Sequence, residues 1–200
     1  MSGFWDERYA GPGYAYGTEP NDFVREAAAR IPPGRVLCLG EGEGRNAVHL
    51  AGLGFDVTAM DASRVGLDKA ERLARERGVR LRTVHADLAT FAIEEGAWAG
   101  IVSVWVHLPP ALRERVHAGV VRGLAPGGAL LFEAYAPGQL RFDSGGPRDP
   151  EMLPPLATLR AEFAGLDFEI AREVEREVSE GRFHGGRSAT IQLLGRKPAG

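Results

Sequence analysis

The stretch Val36-Leu37-Cys38-Leu39-Gly40-Glu41-Gly42-Glu43-Gly44 drives an apolar strand straight into three alternating glycines, and a helix-like segment follows. Glycine lets the main chain take left-handed angles and lets a bound group lie against the backbone. The helix beyond it presents unpaired N–H groups. Strand, glycine turn and helix in that order form a unit of a parallel sheet, and such turns receive nucleotide-like cofactors, although they also occur with no ligand. Spacing separates the cofactor classes: dinucleotide folds write Gly-x-Gly-x-x-Gly, whereas here the third glycine comes one position earlier.

Two carboxylates extend the pattern. Phe55, Val57 and Ala59 alternate into Met60 and Asp61, so a second strand ends on an acid able to accept from two ribose hydroxyls. A third short strand, 81–86, runs into Asp87-Leu88. In a parallel sheet with right-handed crossovers these strands deliver their carboxyl ends to one rim, where ligands bind. Each Asp taken singly also suits ordinary helix capping.

With 200 residues, 44% of them apolar and 26% charged, the chain is long enough to bury a full core as a single domain, 1–200. A net charge of −3 without a basic stripe argues against nucleic acid as a partner. Arginines are interleaved with acids along helical segments, as on a solvated face. Cys38 is the sole cysteine, which excludes an intrachain disulfide or a cysteine-based metal cage, and no histidine–carboxylate group has metal-ligand spacing. No apolar run reaches the roughly 18 residues a membrane span needs, and the first residues lack a secretory signal, so a cytoplasmic location is expected.

Apolar periodicity predicts a helix over 20–31 capped by Asn21, then strand 36–39, helix 46–53, strand 56–60, helix 64–77, strand 101–105, helix 111–124 and strand 129–134. A proline- and glycine-rich loop covers 137–155, followed by a short helix at 156–163. Strands at 168–178 and 188–196 close the chain as an antiparallel hairpin, although Ile170, Val174 and Val178 also satisfy a helical spacing. The fold class is α/β, with helices on both faces of a mostly parallel sheet.

Five strand–helix units and a terminal hairpin resemble the Rossmann-like class I S-adenosylmethionine-dependent methyltransferases, and Gly40-x-Gly42-x-Gly44 resembles their first motif. Trp5-Asp6-Glu7-Arg8-Tyr9, 16–21, Glu43-Gly44-Arg45-Asn46 and Val106-His107-Leu108-Pro109 look like the tellurite-resistance and thiopurine methyltransferase group, whose acceptors are small molecules. The resemblance implies S-adenosylmethionine as cofactor, with Gly40, Glu41, Gly42, Gly44 and Asn46 around its methionine end. Asp61 and Asp87 would hold ribose and adenine, Ala62 and Leu88 would offer backbone contacts, and Ser103 and Val104 would border it. Trp5 and Tyr16 would lie in a segment closing over it. The parts would be an N-terminal lid and helix (1–31), a cofactor core (35–136) and a substrate loop with hairpin (137–200). Many members carry an acid where Cys38 stands, and Glu41 is the nearest replacement, a solvent-facing role being its alternative. Gly100, where relatives often place Asp, carries no functional weight.

Methyl transfer from a sulfonium is an in-line displacement that asks mainly for positioning; a base matters only for acceptors that must lose a proton. His107 is the candidate base, with Glu133 and Tyr135 as candidate linings of the acceptor pocket. His107 also suits fixing the turn at 108–110. His184 reads as a solvated loop residue, and His49 and His117 as packing or surface residues. Two rival functions remain: a nicotinamide oxidoreductase, and a non-catalytic sensor or scaffold that binds S-adenosylmethionine. Oligomeric state is not encoded legibly.

Overall fold

The computed structural model describes residues 2–199 and builds one seven-stranded sheet in the order β3-β2-β1-β4-β5-β7-β6. The strands are β1 (Arg35–Leu39), β2 (Asp56–Asp61), β3 (Arg82–His85), β4 (Trp98–Val104), β5 (Leu124–Tyr135), β6 (Asp167–Glu180) and β7 (His184–Arg196). The first five pair in parallel, and β7 runs antiparallel between β5 and β6. The fold class expected from the sequence is therefore the one observed, with the hairpin longer than predicted. Along the second half of β6, Glu173, Glu175, Glu177 and Ser179 face out while Val174, Arg176, Val178 and Glu180 turn in, which is strand periodicity and not helical.

The helices are α1 (Ser2–Tyr9), α2 (Asp22–Ala27), α3 (Arg45–Gly52), α4 (Arg64–Glu76), α5 (Pro110–Gly123) and α6 (Leu156–Glu162). Neighbouring residues of the central strands point to opposite faces, and both faces are covered, which is why these strands read as continuous apolar runs. On one face Leu37, Leu39, Ile101 and Phe132 pack against Val116 and Val120 of α5 and Leu159 of α6. On the other, Val36, Cys38, Ala59 and Val102 meet Phe23 and Val24 of α2, Leu50 of α3 and Leu67 of α4.

Two expectations are corrected. The helix predicted over 20–31 is shorter: α2 gives way to a 3-10 turn at Ala28–Arg30, because Ile31 precedes Pro32 and is held extended (φ −75°, ψ 129°). The crossover from β3 to β4 has no helix among the described residues. It makes a single turn, with Thr90 and Phe91 N–H groups on the Asp87 carbonyl, and then lays Phe91 and Ile93 against the core.

Gly100 has a packing role. A Cβ there would stand 2.6 Å from Ile31 Cγ2 and 3.3 Å from Val36 Cγ2, so the strand surface is cut back to admit the end of the α2 segment. Gly100→Ala is expected to lower stability by about 1–3 kcal/mol through overpacking. Gly100→Asp, which adds a buried charge, should cost more; urea unfolding of the two variants checks the order.

Candidate active site

The carboxyl ends of β1, β2, β3 and β4 meet on one rim, and the residues at those ends make the site. Gly40, Gly42 and Gly44 all have positive φ (57°, 62° and 92°), turning the chain from β1 into α3. Glu41 caps that helix: Oε1 accepts from the N–H groups of Asn46 and Ala47, each at 2.8 Å. Its carboxyl also stands against the Cys38 thiol, and burial pushes its pKa up to about 7. An acid therefore stands beside Cys38. It is not free in solvent.

Asp61 ends β2, buried, with Oδ2 accepting from Gly42 N–H at 2.8 Å and Oδ1 from Ser63 N–H at 2.7 Å. Burial raises its pKa, and these N–H groups oppose the rise. Asp87 stands on the neighbouring strand end, half-buried, its Oδ1 accepting from Ala89 N–H at 2.8 Å. The Ala62 carbonyl lies 3.0 Å from His85 Nε2, Leu88 packs into the core on the α5 side, and Ser103 and Val104 finish β4, buried. Asn46 departs from this group, since Oδ1 accepts from Asn21 N–H at 2.9 Å and so joins α3 to the start of α2.

A strap closes over the rim. The Tyr9 ring lies between Gly42 and Gly66, its hydroxyl 2.5 Å from where a Gly42 Cβ would be. Trp5 stacks on Tyr9 at 5.7 Å, and Tyr16 meets Tyr9 edge-on at 6.2 Å. Asp6 accepts from Ser63 Oγ (2.5 Å), and Lys69, buried on α4, donates to the carbonyls of Gly11 and Gly13 and to Glu43 Oε1. Glu43 Oε2 accepts from Ala15 N–H at 2.6 Å. On the far side the hairpin projects past the end of β5, and Arg182 N–H donates to the Ala15 carbonyl at 2.8 Å.

Beneath the hairpin lies a buried charged layer. Glu133, fully buried, accepts from Asn21 Nδ2 (2.5 Å), Gln192 Nε2 (2.8 Å) and both Arg176 Nε and Nη2 (2.9 Å). Glu180 accepts from Asn21 Nδ2 (2.9 Å), Arg45 Nη2 (2.5 Å) and Trp105 Nε1 (2.5 Å). Trp105 is the one non-glycine residue with positive φ (60°) among the described residues. For a bulky side chain that conformation costs about 1–3 kcal/mol and collects at functional sites. Its ring stacks on Tyr135 at 4.4 Å.

These contacts bear on the three candidate catalytic residues. Both His107 nitrogens are committed to main chain: Nδ1 lies 3.1 Å from the Trp105 carbonyl, and Nε2 accepts from Tyr135 N–H at 3.1 Å. Burial lowers its pKa to about 4. It holds the loop after β4 against β5 and has no nitrogen left for a substrate. Glu133 has its partners inside the protein and does not line an opening. Tyr135 is fully buried, with its ring between Trp105 and His107. His184, expected in a solvated loop, is buried at 9% exposure against Tyr16, Trp105 and Tyr135. His117, also buried, pairs with Glu162 at 2.7 Å. The pairings of Glu43, Lys69, Arg176 and Glu180, and the contacts of Asn21 beyond its helix cap, are not legible in the sequence.

This architecture is the Rossmann-like fold of class I methyltransferases. N-methyltransferase NodS from Bradyrhizobium japonicum WM9, solved with S-adenosyl-L-homocysteine, superposes with a TM-score of 0.73 at 17% identity over 98% of both chains. TehB from Haemophilus influenzae gives 0.73 at 21% identity, over 98% of this chain and 66% of that one. In sequence, residues 36–128 match the family described as a methyltransferase domain. The protein-L-isoaspartate O-methyltransferase of Stenotrophomonas maltophilia (strain K279a) is 32% identical over 117 residues, 58% of this chain; the chain spans about half (48%) of that relative's length. Among the described residues no helix is long and apolar enough to cross a membrane, and no group of three or more His, Cys, Asp or Glu is placed to hold a metal ion.

Asn21 donates to both buried carboxylates and caps α2 through Oδ1 to Val24 N–H. Asn21→Asp preserves the cap but sets a third carboxylate against Glu133 and Glu180. It is expected to destabilise by about 3 kcal/mol or more, exceeding Asn21→Ala, which loses a cap and two hydrogen bonds. Chemical denaturation ranks them, and the reverse order would contradict the assigned contacts.

Proposed function

We propose that the chain transfers a methyl group from S-adenosylmethionine to a small-molecule acceptor. The observation that carries this reading is the glycine turn itself, a backbone stripped of side chains at Gly40 and Gly42 with carboxylates at Glu41 and Asp61 on either side. It lies within the segment matching the methyltransferase-domain family. The residues fit the cofactor chemically. Asp61 suits a ribose diol, Asp87 lies one strand further toward the adenine end, and Glu41 suits the ammonium of the methionine tail. Tyr9, which fills the space against Gly42, must move aside for that tail, and Trp5 and Tyr16 then cover it.

When bound, the cofactor supplies an already activated methyl group. The chain contributes orientation and exclusion of water, each favoured by a closed aromatic cover. Residues 5–9 and 16–21 resemble the tellurite-resistance and thiopurine-like group, and the shared fold of TehB is in keeping with that reading. Sulfur or metalloid acceptors are the first to screen.

Calorimetry with S-adenosylhomocysteine tests the reading. Binding to the wild-type chain is expected, with Asp61→Asn weakening it about tenfold or more, the scale of a lost charge-assisted hydrogen bond. Removing residues 1–18 should weaken it too, since the cover is lost; unchanged affinity would dismiss the lid. No binding by the wild-type chain would dismiss the function.

Glu41 adds a pH dependence. With its pKa near 7, the carboxyl is neutral below that value and a ligand ammonium favours the ionised form. Affinity for S-adenosylmethionine should therefore rise as pH climbs through about 7, with proton release on binding. Methylthioadenosine, which lacks the amino-acid tail, should show no such dependence.

A further inference from the structure

Three of the five histidines have hydrogen-bond partners, and a fourth, His49, leaves its buried Nε2 without one. His107 has both ring nitrogens on main chain, and His117 is held by Glu162 and stacked on Phe163 at 4.1 Å. His85 is exposed and meets the Ala62 carbonyl, while His49 sits on α3 in the field of Arg25 and Glu19.

His184 is different. The hairpin register sets it directly across from Glu180, on the same face of the sheet, with Nδ1 3.9 Å from a Glu180 oxygen. That separation is too long for a hydrogen bond. Nδ1 is buried and has no hydrogen-bond partner among the described residues. The ring is packed by Tyr16 at 4.7 Å, Trp105 at 5.2 Å and Tyr135 at 5.6 Å, and Gly145 passes so close that a Cβ there would lie 2.8 Å from His184 Cδ2. An unpaired buried imidazole nitrogen costs free energy. Here it stands beside the strained Trp105, at the mouth of β4, where the proposed reaction would occur.

Resting on the methyl-transfer reading, we infer that His184 is the general base for acceptors that must lose a proton, and that Glu180 sets its tautomer. With the proton on Nδ1, in the field of the Glu180 carboxylate 3.9 Å away, Nε2 keeps the free lone pair. The acceptor atom gives its proton to Nε2 as it bonds to the methyl carbon. The electron pair of the broken carbon–sulfur bond stays on sulfur, and the positive charge passes from the donor to the imidazole. Glu180 offsets that charge.

The surrounding charges agree with this role. Burial is the main cause that lowers the His184 pKa; Glu180 opposes it, and Arg45 and Arg8 add to it, so the ring is neutral and able to accept a proton near pH 7. His107, which His184 itself influences, is neutral as well, with a pKa near 4. Burial would raise the Glu180 carboxyl, but His184, Arg45 and Trp105 outweigh it and hold the group well below the usual carboxylate range. Tyr16 and Tyr135 are both raised, chiefly by burial, and stay protonated.

The test uses the full chain and two readouts. Nitrogen-15 spectra at pH 7, with the His184 signals assigned by their loss in His184→Gln, should show the neutral Nδ1–H tautomer; an Nε2–H tautomer or an imidazolium would overturn the inference. For turnover, phenol is a protonated acceptor and benzenethiol one that is largely ionised. His184→Gln should slow methylation of phenol about 100-fold or more, the usual range of general-base catalysis. Benzenethiol methylation and S-adenosylhomocysteine affinity should stay within about threefold, a split that a merely structural role does not produce. Equal losses on both acceptors, or none, would overturn the inference. If the wild-type chain methylates neither probe, the tautomer decides alone. Failure of the wild-type chain to bind S-adenosylhomocysteine is a separate result, which removes the methyl-transfer reading beneath it.

Discussion

Two buried carboxylates, Glu133 and Glu180, govern how the upper end of this sheet is assembled. An ion taken from water into a protein interior costs several kcal/mol unless charge and hydrogen bonds replace the water. Arg176 spans both acids, at 2.9 Å and 3.5 Å, and Arg45 and Asn21 complete the set. These partners come from β6, α3 and the start of α2. Satisfying the acids therefore requires the hairpin, the helix after the glycine turn and the N-terminal segment to converge on one point. The convergence carries the hairpin past β5 and sets Asn21 where it can cap α2.

The same layer holds strain in place. Trp105 keeps an unfavourable φ because its indole N–H reaches Glu180, its ring stacks on Tyr135, and its own N–H donates to the Glu133 carbonyl at 2.9 Å. Several contacts outweigh a cost of about 1–3 kcal/mol. Glu43 and Lys69 act similarly on the opposite side, where an ion pair buried at 2.9 Å also supplies the hydrogen bonds that hold residues 11–15. Charge burial thus orders the cover over the rim, and apolar packing orders the sheet beneath it.

Local chemistry made the lower part of the molecule readable. Alternating apolar strands, the glycine turn, Asp61 and Asp87 at strand ends, and the Asn21 cap each depend on neighbours a few residues away. Strand and not helix is legible for 168–178 because β-forming residues and a glycine turn agree. Glu180 and Lys69 could not be read in that way. In sequence they are ordinary helix-like or strand charges, and their meaning lies in partners such as Asn21, 159 positions from Glu180. His184 is illegible for the same reason: the glycine-rich turn before it is exposed, but the ring at the start of β7 is covered by Tyr16, distant in sequence. A hint existed for Glu133, an acid enclosed by apolar neighbours and in need of a partner. Its partner, Arg176, lies on the edge strand.

The main-chain hydrogen bond between Arg182 and Ala15 joins two segments that are far apart in sequence, the N-terminal strap and the tip of the hairpin. Anything held below them is enclosed by a clasp whose halves must part together. On the proposed methyl-transfer reading, escape of a spent molecule waits on the opening of that clasp, so its dwell time depends on the hairpin as much as on the affinity of the site.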